Sequence, residues 1–164
     1  MKYSGLVFSV CALPALALAD VNIVGNVAAK CIIQTDTGGI YGNPTATKLS
    51  TLPADGGVVP IVRYDVAVAN YYTAKITHPS AFSSSPSLSD TVAWTGASSV
   101  AQTSVAGMAA YDAAKVVYGS TTNFNLTIAG STWFKTASTA TYGVSKAFPG
   151  GSYTAIVQAE CIAN

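Results

Sequence analysis

The residues with obvious chemistry in this 164-residue chain are one histidine, three cysteines and a few well-separated carboxylates. A nucleophilic triad needs a serine or cysteine, a base and an orienting acid within reach of one another. The lone base, His78, stands before Pro79 at the end of an alternating run and reads as an exposed loop-edge residue; no G-x-S-x-G elbow accompanies it. A metal site needs three or four converging ligands, yet Asp36, Asp55, Asp65, Asp90, Asp112 and Glu160 are scattered singly. A glycosidase needs two carboxylates facing across a cleft, and nothing in the sequence pairs Asp65 with Asp112. The glycine pairs lack the spacing and following helix of a phosphate-binding loop or dinucleotide fingerprint. Tyr41, Tyr64, Tyr71 and Tyr72 have rings that could stack on a sugar, but in β-proteins such tyrosines are more often half-buried sheet residues. Asn125-Leu126-Thr127 matches a glycosylation sequon but falls within an expected strand, so it reads as coincidence. The chain is therefore expected to be no enzyme and to hold neither metal nor cofactor.

Cysteine chemistry is more informative. The first nineteen residues have the form of a secretory leader: Lys2 as positive start, Leu6–Leu13 as apolar run and Ala17-Leu18-Ala19 as small-residue cleavage signal. The alternative is a buried N-terminal strand. Removing the leader takes Cys11 with it and leaves Asp20–Asn164, with seven basic and seven acidic residues. Cys31 and Cys161 remain, an even number in an oxidising compartment. The separation of 130 residues excludes a C-x-x-C redox motif or a zinc knuckle. The simplest reading is one disulfide tying the first strand to the last; two buried free thiols and an intermolecular bridge are the alternatives. In the disputed chain-entropy treatment, closing so long a loop stabilises by about 4 to 5 kcal/mol.

Half of the chain is hydrophobic and only 9% is charged. Such a balance leaves no clustered basic surface for nucleic acid, and no second apolar run is long enough to span a bilayer. Val21, Ile23, Gly25, Val27, Ala29 and Cys31 alternate on one face of an extended segment. Residues 35–47 have loop chemistry. Tyr64, Val66 and Val68 oppose Arg63, Asp65 and Ala67, and Tyr72, Ala74 and Ile76 form a second alternating run beyond a turn or bulge at Ala69-Asn70. Val92 and Trp94 share a face after a Ser/Pro loop. Residues 105–118 fit a strand preceded by a short helical turn, although a short helix also fits. Phe124, Leu126 and Ile128 mark another strand. Pro149-Gly150-Gly151 separates Ala140–Phe148 from Ser152–Ile162 and is the strongest hairpin signal. Short strands rich in Thr, Val and Tyr at this spacing predict one all-β sandwich domain over residues 20–164.

The segment Val21–Cys31, an alternating apolar run with a glycine and then a cysteine, resembles the start of chaperone–usher pilus subunits. Pro149-Gly150-Gly151-Ser152-Tyr153-Thr154-Ala155-Ile156-Val157 resembles the G-x-Y strand that closes many of them. The resemblance implies an incomplete immunoglobulin-like sandwich completed by a strand from a neighbouring subunit. An open sheet edge is a template for such a strand, and alternating side chains can fill the groove behind it. Residues 20–30 would be the donor, with Val21, Ile23, Val27 and Ala29 filling the groove and Gly25 where the chains come closest. The implied partners are identical or related subunits, a periplasmic chaperone and an outer-membrane usher, and the implied destination is a fibre on the cell surface. Without that resemblance, the same segment reads as the first strand of a self-contained secreted sandwich that binds a carbohydrate, a surface or a protein.

Overall fold

The computed structural model of the chain describes residues 30–143 and 146–164. They form two antiparallel sheets packed face to face, the expected all-β sandwich. In chain order the strands are β1 (Cys31–Thr37), β2 (Gly42–Thr45), β3 (Lys48–Ser50), β4 (Ile61–Val66), β5 (Tyr72–Thr77), β6 (Val92–Thr103), β7 (Val116–Tyr118), β8 (Thr121–Leu126), β9 (Gly130–Tyr142) and β10 (Gln158–Ala163). A short helix, α1 (Tyr111–Ala114), follows a 3-10 turn at Ala106–Ala110, so residues 105–118 resolve as a helical turn leading into a strand. No helix among the described residues is long and apolar enough to cross a membrane.

The first sheet is organised around β9. One side of β9 pairs with β6 along nearly its whole length; the other pairs first with β4 and then with β3. β1 extends the sheet beyond β4, and β2 extends it beyond β3. The second sheet runs β10-β5-β8-β7. The alternation read from sequence decides the faces of β4, β5 and β8. Tyr64, Val66, Ala74, Ile76, Phe124 and Leu126 are buried between the sheets, while Arg63, Asp65 and Lys75 point away. Phe134 of β9 completes the centre, 4.3 Å from Phe124 and edge-on to Tyr64 at 5.5 Å. The Tyr64 hydroxyl donates to the backbone carbonyls of Glu160 (3.2 Å) and Lys75 (3.4 Å), tying β4 to both neighbours in the opposite sheet. Asn70 carries the turn between β4 and β5 at φ 60°, a left-handed conformation that asparagine tolerates.

Several expectations need correction. Cys31 begins a strand that runs to Thr37, so the loop expected from residue 35 starts later. β6 continues to Thr103 and β9 spans thirteen residues, both longer than the sequence suggests. Their alternation is hidden because the inward positions carry Ser98, Thr132, Thr136 and Ser138, buried polar residues that find hydrogen-bond partners inside the sandwich. Ser98 and Thr136 hydroxyls lie 3.0 Å apart, and Thr51 Oγ1 accepts from the Ser138 amide at 2.9 Å.

Pro149-Gly150-Gly151 does not join two paired strands. β9 ends at Tyr142, β10 pairs with β5, and the intervening described residues form no strand, making the isolated Ser84–Thr154 bridge and single backbone bonds such as Phe148 N–H to the Ala46 carbonyl at 2.8 Å. Aromatic packing decides this path. Phe148 stacks on Tyr142 at 5.1 Å, while Tyr153 packs on Phe82 at 5.0 Å and Phe82 on Trp94 at 4.7 Å. These rings form a second cluster that covers the far end of β9, where the second sheet has stopped. Gly151, at φ 146°, lies so close to Pro86 that a Cβ would meet the ring at 2.6 Å.

Candidate functional site

Cys31 opens β1 and Cys161 lies on β10, and the two form a disulfide with Cα atoms 6.5 Å apart. Each strand is the last of its own sheet: among the described residues β1 pairs only with β4, and β10 only with β5. The disulfide therefore fastens two bare strand edges on one side of the sandwich. Cys31, Ile33, Ala159, Cys161 and Val157 turn inward against the core, as alternation requires.

Beyond the disulfide the two chains separate. β10 starts only at Gln158, so residues 155–157 approach the end of β1 without a ladder. Between them lies an open cleft of about 270 Å³, bordered by Thr35 and Thr37 on one side and Ala155, Ile156 and Val157 on the other. Its floor includes Val62, Tyr41 and Thr51. The Tyr41 and Ser138 hydroxyls are 3.3 Å apart, and burial raises the Tyr41 phenol above its ordinary pKa while that hydrogen bond works in the opposite sense. Ile156 is 61% exposed at the rim. Apolar wall, bare backbone edge and neutral polar floor suit an extended peptide.

The opposite edge of the first sheet is finished differently. There Asp112 of α1 accepts the backbone N–H of Val100 at 3.0 Å, and Lys115 donates to the carbonyl of Ser98 at 2.9 Å. The helical segment thus occupies hydrogen-bonding groups on the outer edge of β6. In the second sheet, by contrast, the outer edge of β7, with Val116, Val117 and Tyr118 exposed, has no partner among the described residues.

The sequence-derived candidates are distributed over the molecule. Val21, Ile23, Gly25, Val27 and Ala29 lie outside the described residues, as does the expected leader. Cys31 and Cys161 are joined as the simplest reading expects. His78 is half-buried rather than exposed: its ring sits where a Cβ on Gly96 would stand, and Nδ1 lies 3.1 Å from the Pro79 carbonyl oxygen. Asp65 is engaged by Arg63 and Ser131, whereas Asp112 holds the edge of β6. The tyrosines form no common platform: Tyr64 is fully buried, Tyr41 lines the cleft, and the Tyr71–Tyr72 pair packs edge-on at 5.0 Å elsewhere. No group of three or more His, Cys, Asp or Glu among the described residues could hold a metal ion. Sequence reading missed Tyr41, Thr51, Val62 and Ser138 as cleft residues, because they come from four separate segments.

No protein-family model, curated protein or solved structure matches the chain.

Proposed function

We propose that this chain is a structural subunit of a bacterial surface fibre, assembled by donation of an extended segment from one subunit to the next. The observation that carries the reading is the disulfide-fastened pair of bare edges, β1 and β10, with a cleft alongside. A strand entering there gains backbone hydrogen bonds from an edge and places alternate side chains against the wall, the physics of β-augmentation. The segment before Cys31 has the composition such a guest needs: Val21, Ile23, Val27 and Ala29 alternate around Gly25. On this reading the chain is exported, escorted in the periplasm by a chaperone that covers the edge, passed through an outer-membrane usher and built into a fimbrium. The intramolecular disulfide is compatible with a secreted or periplasmic protein. Fibre subunits of this kind support adhesion or biofilm formation.

Deletion of residues 20–30 tests the reading. A donor segment predicts a deleted chain that remains folded, keeps the Cys31–Cys161 disulfide and still accepts a strand, but no longer polymerises. A deleted chain that loses its cooperative unfolding transition would instead identify the segment as an intrachain strand. A second reading, a self-contained secreted sandwich that binds a carbohydrate, surface or protein, draws on a different observation: Tyr64, Ile76, Phe124 and Phe134 are fully sealed from solvent. That reading predicts a stable monomer whose stability falls when residues 20–30 are removed.

A further inference from the structure

The outer face of the first sheet is polar along most of its rows. Arg63 lies opposite Trp133, Asp65 opposite Ser131 and Thr95 opposite Thr139. One row differs: Ala97 stands opposite Ala137, two small side chains that leave a low floor. Beside it the connection between β3 and β4 brings up Leu52, Pro53, Val58 and Val59, and with Ile61 these residues enclose an open cleft of about 550 Å³. Leu52 and Val58 are 39% and 37% exposed. An apolar depression rimmed by polar residues is the usual mark of a binding surface.

Lys135 also lines this cleft. Lys48, Arg63, Lys75, Lys115 and Lys146 each hold a carboxylate within 3.4 Å. Lys135 has no ion-pair partner among the described residues. Asp36, on the flanking strand, is engaged by Trp133 Nε1 at 3.1 Å, and Asp65 by Arg63. The cleft thus combines a hydrophobic floor with one uncommitted positive charge.

We propose that this cleft binds a medium-chain aliphatic carboxylate, its tail over Ala97 and Ala137 and its carboxylate paired with Lys135. Tail burial supplies most of the affinity, and the partly solvated ion pair selects the charge of the head group. The site lies on the outer face of the sheet, shares only Thr37 with the lining of the β1/β10 cleft, and does not depend on the chain entering a fibre.

The test is an amide-resolved NMR titration of the full chain, disulfide intact, with decanoate below its micelle concentration and decyltrimethylammonium as the control. Expected are saturable shifts confined to residues 52–61, 97–99 and 135–137, caused by the acid and not by the cation. Ala97→Leu, which raises the floor, should abolish them. Lys135→Glu, on an exposed side chain, should weaken binding at least fivefold without altering the fold, and it decides the matter if Ala97→Leu fails to fold. Equal response to the cationic amphiphile, shifts spread over the whole surface, no saturable shift at millimolar decanoate, or undiminished binding by Lys135→Glu would each overturn the proposal.

Discussion

The two edges of the first sheet, β1 and β6, are finished in opposite ways. At the β6 side a helical segment places Asp112 and Lys115 against the backbone of Val100 and Ser98, and both bonds come from charged side chains. Charge on an edge is a common device against unwanted strand pairing. At the β1/β10 side no side chain among the described residues does this; a covalent bond holds the two edges together, and among those residues their outer backbone has no partner. The disulfide fixes the relative position of the two strands without occupying their outer backbone. If the β1/β10 side receives another chain, as proposed above, its unpaired backbone is what the incoming strand would meet.

The contrast can be broken most severely at the disulfide. Cys31→Ser with Cys161→Ser should lower the unfolding free energy by about 4 kcal/mol, and reductant should shift the wild-type denaturant midpoint in the same direction. An unchanged midpoint would mean that the two edges are held by packing alone. Removing the protected side's charge is milder. Asp112→Ala should cost about 1 to 2 kcal/mol through the lost bond to the Val100 amide, and it should promote self-association detectable by sedimentation; Asp112→Asn, which keeps an acceptor, should do less. Tyr64→Phe removes the hydroxyl that reaches across to β5 and β10 and should cost about 1 kcal/mol at neutral pH.

Tyr64 also gives the open side a pH signature. Burial first, and the Glu160 charge second, raise its pKa well above the ordinary phenol value. The folded state therefore retains the phenolic proton where the unfolded state would lose it. This contribution is complete below the unfolded value near pH 10 and is lost as pH rises from there towards the folded value. Chemical denaturation at increasing alkaline pH should show wild type losing stability faster than Tyr64→Phe. The smallest stability effect belongs to the rim: Ile156→Lys should change the unfolding free energy by no more than about 0.5 kcal/mol. It should nevertheless block polymer growth, because a charge would face an incoming apolar strand.

The same asymmetry explains what could be read from the sequence. β4, β5 and β8 are legible because apolar residues alternate with polar ones along them, and the Cys31–Cys161 pairing is the simplest reading of the two cysteines that follow the expected leader. β9 is not, because Thr132, Thr136 and Ser138 occupy buried positions that a hydrophobic pattern passes over. The proline–glycine turn near residue 150 was visible, but its strands were not: Phe148 and Tyr153 take part in an aromatic cluster with Phe82 and Tyr142, a contact between distant segments. Of the candidate site, the cysteines were legible. The cleft was not, since its lining converges from β1, β4, β9 and the chain before β10.

The central claim is that the β1/β10 side receives a strand from another copy. Its most direct test is electrophoresis of cell-surface material sheared from the producing organism, in detergent, with and without boiling and with and without reductant. The account predicts a ladder of subunit-sized steps that survives detergent, collapses to monomer on boiling and does not depend on reductant for that collapse. A single monomer band in every lane would contradict it and leave a self-contained secreted sandwich.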